Sequence, residues 1–77
     1  MARYFFDLVD GVKIDRDDVG LEFDRLSDVR AAAADALGDI ARELLPDGPR
    51  RHLVIQVRDA TGSCIHECRF DFSAQDT

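Results

Sequence analysis

Two stretches of strand-like patterning flank one stretch of helical period. The first stretch, Arg3-Tyr4-Phe5-Phe6-Asp7-Leu8-Val9, is rich in aromatic and β-branched residues and stops at Asp10-Gly11. Asp-Gly after such a run is the strongest two-residue hairpin signal, so a second strand is predicted at about Val12 to Arg16. The polar Asp15-Arg16-Asp17-Asp18 then leads through Gly20 to a short extended piece, Leu21-Glu22-Phe23, that enters a helix. Asp24 or Ser27 is the expected cap, because each offers a side-chain oxygen to the free amides of a first helical turn.

At 100° per residue, Leu26, Val29, Ala33, Leu37, Ile40 and Leu44 fall within one stripe roughly 80° wide. Asp28, Asp35, Asp39 and Arg42 lie opposite, so one face packs and the other is wet. Asp28 in the first turn and Arg42 in the last both suit the helix dipole. Pro46 and Asp47-Gly48-Pro49 are predicted to end the helix. Arg51 to Arg58 then alternates, with Leu53, Ile55 and Val57 pointing one way.

Asp59-Ala60-Thr61-Gly62 suits a type I turn, with Asp first and Gly last, and the final strand runs from Ser63 to about Phe72. A four-residue loop would set Val57 opposite Cys64, Ile55 opposite His66 and Leu53 opposite Cys68, collecting these side chains on one face. A three-residue loop would mix that face with Arg58 and Gln56, so the four-residue register is preferred. The expectation is an α+β fold in a single domain, residues 1–77. It is a four-stranded antiparallel sheet with one helix on one face, in the order β-β-α-β-β.

Composition narrows the function classes. A chain of 77 residues supports one small core and leaves little material for a deep catalytic cleft. Sixteen acidic residues against ten basic give a net charge of −6, which repels phosphate backbones, so no nucleic-acid partner is expected. No apolar run approaches the roughly 20 residues of a membrane helix, and the N-terminus lacks a secretory layout. The expected setting is the cytoplasm, with no membrane partner.

The motifs also carry a resemblance. Arg3-Tyr4-Phe5-Phe6 followed by Asp10-Gly11, then Asp18-Val19-Gly20-Leu21-Glu22-Phe23 and the Ala-rich Arg30-Ala31-Ala32-Ala33-Ala34, resemble a bacterial domain-of-unknown-function family, the one numbered 6894. Val57-Arg58-Asp59 with Gly62, and a closing apolar strand ending at Phe70, continue the likeness over nearly all the chain. His66 departs from it, standing where the family has an aliphatic residue. The resemblance implies the fold and transfers no catalytic or binding residue.

Several constellations invite chemistry and resist it. Cys64, His66 and Cys68 share a strand face, but neighbours at i and i+2 stand about 7 Å apart, too far to converge on one tetrahedral zinc. A disulfide fails too, since residues four apart on a strand lie about 13 Å from each other. A Cys–His nucleophile would also need an orienting third residue and an oxyanion hole, and no Gly-rich elbow accompanies the pair. Asp15-Arg16-Asp17-Asp18-Val19-Gly20 matches a calcium loop at its first, third and sixth positions. It fails at the fifth and twelfth, where Val19 and Leu26 stand, and reads as a solvated turn. Arg50-Arg51-His52, the only basic cluster, reads as an exposed strand entry. Neither an enzyme nor a cofactor is expected.

The first strand is the anomaly. With a turn at Asp10-Gly11, Phe5 and Val9 share a face with Val12 and Ile14, while Tyr4, Phe6 and Leu8 share the other. One helix covers only one face of a small sheet, so Phe5, Val9, Val12 and Ile14 form a candidate interface. A bulged turn or strong twist would instead cover them internally. The leading expectation is a non-catalytic interaction module, a homodimer or the partner of another protein, using that face or a strand edge. The alternative is a domain similar to the HicB-type antitoxins, whose acidic body neutralises a small basic toxin.

Overall fold

The computed structural model of the chain describes residues 2–44 and 50–77, the side chain of Arg50 excepted. Its elements are β1 (Ala2–Asp10), β2 (Lys13–Asp15), β3 (Leu21–Phe23), α1 (Leu26–Leu44), β4 (Arg50–Arg58) and β5 (Cys64–Ser73). The sheet is antiparallel, in the order β2-β1-β4-β5, with β3 also paired to β1. The expected α+β architecture is thus present, with one strand more than anticipated. Leu21-Glu22-Phe23 pairs with Tyr4, Arg3 and Ala2, while β2 takes the other end of β1, opposite Leu8, Val9 and Asp10.

Burial explains why α1 sits where it does. Val29, Ala33, Leu37 and Ala41 form its buried row at successive i+4 steps, and Ile40 and Leu44 flank it. Ala41 was not part of the expected stripe. With Ala33 it removes bulk from the contact, so the helix approaches Leu53, Ile55 and Val57 of the central strand, all buried. Leu26, expected on the stripe, is 48% exposed at the helix start. The first intrahelical bonds run from the Asp28 and Val29 amides to the carbonyl of Arg25, so Ser27 lies inside the first turn and does not cap it. The helix end predicted at Pro46 and Asp47-Gly48-Pro49 lies outside the described residues.

Both hairpins differ from expectation by one residue. In the first, Asp10 pairs with Lys13 and Val9 with Ile14, so the turn is Gly11-Val12 and not Asp10-Gly11. Gly11 has φ 61° and, among the described residues, no non-glycine residue has a positive φ, which is the pattern of a type II′ turn with Gly first. In the second, Asp59 donates its amide to the Ser63 carbonyl and accepts from Gly62, which closes a three-residue loop. The Asp59 carboxylate then accepts from the Thr61 and Ser63 amides and the Thr61 hydroxyl, an Asx turn that favours this shorter loop.

A three-residue loop would have turned the wrong residues towards the helix. A β-bulge prevents that: Arg58 pairs with Cys64 but Val57 with His66, leaving Ile65 as the extra residue. Beyond it Ile55 pairs with Cys68 and Leu53 with Phe70, each two residues from the expected register and on the expected face. Cys64 alone leaves that face.

Gly20 anchors the crossover from β2 to β3. It has φ 75°, and a Cβ there would lie 2.9 Å from the Tyr4 carbonyl oxygen and 3.0 Å from both Arg3 Cγ and Phe5 Cδ1. Gly20→Ala is expected to cost about 1–3 kcal/mol, because strain in φ and a clash with backbone add. Urea denaturation measures this, and a loss below about 0.5 kcal/mol would show that the crossover yields freely.

Candidate functional site

Asp7 is the one buried charged residue among the described residues, and it sits on the sheet face away from α1. Alternation puts it there: Phe6 and Leu8 pack against the core, so residues 5, 7 and 9 face out. Arg58, two residues beyond Asp7's partner Gln56 on β4, donates from Nε to Asp7 Oδ2 at 2.6 Å and from Nη2 to Oδ1 at 3.1 Å. The same Nη2 donates to the main-chain carbonyl of Asp17 at 2.8 Å, and the Asp17 amide donates to Asp7 Oδ1 at 2.9 Å. The Arg58 guanidinium lies 5.0 Å above the Phe5 ring.

Asp17 closes the other side. Its Oδ2 accepts from the Phe6 amide, filling the gap in the β1 ladder between β2 and β3, and its Oδ1 accepts from the Val19 and Gly20 amides. Burial pushes the Asp17 carboxyl up, but those three amides and the Arg58 charge outweigh it and hold it below its ordinary value. Asp7 is held low first by its hydrogen bonds to Arg58. The run Asp15-Arg16-Asp17-Asp18 is therefore not simply a solvated turn, since Asp17 is half-buried. With both its oxygens on amides, Asp17 is committed to the fold. The cluster ties the crossover to β1 and β4.

A second feature is a cleft of about 260 Å³ at the N-terminal end of α1, lined by Tyr4, Leu26, Val29, Arg30, Asp59, Ile65 and His66. It is smaller than the roughly 300–1,000 Å³ of ordinary small-molecule sites. Asp59, its acid, is engaged by its own turn, including a 2.6 Å bond from the Thr61 hydroxyl. Cys64 is exposed, and its thiol meets the main-chain carbonyl of His66, not the ring. Burial pushes the Cys68 thiol up, which lowers its thiolate fraction. The structure does not bring the three together, and no cluster with metal-ligating geometry occurs among the described residues.

The expected interface residues divide. Phe5 and Val9 are half-buried, Ile14 is 65% exposed beside Val9, and Val12 stands fully exposed at the turn. Across the sheet Val9 is followed by Val54 and Arg69, and Asp7 by Gln56 and Glu67. The open face is thus apolar at Ile14, Val9 and Val54 and again at Phe5 beneath Arg58, and polar along Asp7, Gln56 and Glu67. Of the basic cluster, Arg51 pairs with Asp10 at 2.8 Å and His52 with Asp71 at 2.6 Å. Asp7, Arg58 and the Asp17 amide contacts were not singled out from the sequence. The available signal was a charged residue inside an otherwise apolar strand.

A family model described as Domain of unknown function (DUF6894) matches residues 3–71. The chain belongs to this family. Within the DUF6894 match lie every strand pair to β1 except Ala2–Phe23, the Asp7–Arg58–Asp17 cluster and the whole of α1. Searches of curated proteins and of solved structures gave no match to the chain. No helix among the described residues is long and apolar enough to cross a membrane.

Proposed function

We propose that this DUF6894 chain is a non-catalytic interaction module that acts as a homodimer. The observation that carries the reading is the sheet's outer strand. β5 is ten residues long, and its outer edge meets no strand among the described residues. Such an edge presents a row of free amides and carbonyls and acts as a template for another chain. The commitment of Asp7, Arg58, Asp17 and Asp59 to structural bonds supports a binding role over a chemical one. Two free cysteines suit a reducing compartment, in keeping with a cytoplasmic setting.

The test is solution mass by light scattering behind a sizing column, in reducing buffer and over a range of concentrations. The expected mass is twice the 8.6 kDa of one chain. A mass of one chain up to high micromolar concentration would overturn the homodimer. The net charge of −6 supports a second reading, an antitoxin-like domain for a small basic toxin. A neighbouring gene for a small basic ribonuclease would favour it, and consistent absence of one would remove it.

A further inference from the structure

We propose that two copies pair antiparallel through β5, with the two-fold axis at Phe70, joining the two sheets into one. This rests on the homodimer reading and specifies its edge and register. β5 has the features of a usable edge: it contains no Pro and no Lys, and from His66 to Ser73 its pairing with β4 is regular. The bulge at Ile65 ends that regular part on one side. Pairing therefore belongs to the segment beyond the bulge.

Side-chain alternation limits the choices. In an antiparallel pair directly opposite residues share a face, so a two-fold axis that keeps the helix-side residues together must pass through a residue position. An axis at Glu67 sets Glu67 against itself. An axis at Arg69 sets Arg69 against itself and Glu67 against Asp71, so every charged pair is like-signed. An axis at Cys68 matches Glu67 with Arg69 but sets Asp71 against Ile65 and drives the pairing into the bulge. At Phe70 the conflicts disappear. Arg69 faces Asp71 of the second copy, twice by symmetry, and Glu67 faces Ser73.

The helix side agrees with this axis. Cys68, Phe70 and Phe72 are half-buried in a single chain. The axis sets Phe70 against Phe70 and Cys68 against Phe72, so apolar surface continues across the join, and cross-strand aromatic pairs are favourable. On the open side, Arg69 already bonds Glu67 of its own strand at 2.8 Å, and Asp71 bonds His52 at 2.6 Å. Bringing Arg69 to Asp71 of the second copy links the two existing pairs into one row running across the join.

The test uses Arg69→Asp and Asp71→Arg in the full chain, with circular dichroism to confirm folding. Both side chains are more than two-thirds exposed, at 68% and 69%, so neither change disturbs the core. Each variant alone places two like-charged pairs across the axis, and its dimer dissociation constant is expected to rise roughly tenfold or more. Mixed in equal amounts, the two variants restore both opposite-charge pairs, and a heterodimer of near wild-type affinity is expected. If Arg69→Asp weakens the dimer while Asp71→Arg leaves it intact, the axis lies at Cys68 and the proposed register is wrong. If both variants dimerise as tightly as wild type, β5 is not the interface, although the homodimer reading stands. A monomeric wild type overturns both.

Discussion

Asp7→Ala is expected to lower the unfolding free energy by about 2 kcal/mol, a large share of what so small a domain holds. The substitution removes the acceptor of two Arg58 bonds and of the Asp17 amide together. What remains is a guanidinium over Phe5 with its carboxylate gone, and breaking one side of a buried pair costs more than the pair itself contributes. The loss is also local. Residues 16–20 hang on this cluster, so hydrogen exchange at the Asp17, Val19 and Gly20 amides should rise before the core opens. A variant that loses stability with those amides still protected would show that other contacts hold the crossover.

The same cluster sets the response to acid. Asp7 and Asp17 are both held below the ordinary carboxylate value of 3.8 when folded. A depressed folded value means the stabilisation is complete above the unfolded value and lost as pH falls through the folded one. Stability should therefore decline as pH drops below about 4, and the gap between wild type and Asp7→Ala should narrow as it does. A gap that stays constant down to pH 3 would argue against this linkage.

Leu53→Ala is expected to cost about 2–5 kcal/mol, the range for emptying a filled core position. Leu53 is fully buried on the central strand, between Asp10 of β1 and Phe70 of β5 and beneath the helix. A domain of this size has roughly 4–12 kcal/mol in total. Thermal unfolding followed by circular dichroism should show a fall in Tm of at least about 10 °C, or no cooperative transition at all. A fall under about 4 °C would mean the core collapses onto the gap.

How much of this was legible varied with the range of the interaction. The helix, with Val29, Ala33 and Leu37 inward, and the alternation of Leu53, Ile55 and Val57 follow from periodicity, a local property. The turns were nearly legible. Asp10-Gly11 named the right hairpin but not the loop residues, because Asp-Gly as the turn pair and Gly-Val with Gly first differ by a single step. The β4–β5 register is not legible because turn chemistry and face alternation both point to a four-residue loop, whereas the Asp59 carboxylate holds a three-residue one and a bulge restores the faces. The Asp7–Arg58–Asp17 cluster was illegible for a different reason. It joins residues 10, 41 and 51 positions apart, and no local pattern announces such a meeting.

The bulge at Ile65 has a meaning for change as well as for structure. It uncouples the length of the hairpin loop from the identity of the side chains that meet the helix. A chain with one residue more in the Asp59–Ser63 turn could drop the bulge and keep Leu53, Ile55 and Val57 facing inward. A chain with the turn unchanged but Ile65 deleted would set the Val57–His66 pair directly after Arg58–Cys64 and keep the same faces. The hairpin thus has a built-in slack of one residue, which lets its tip be remodelled while the core beneath it stays as it is.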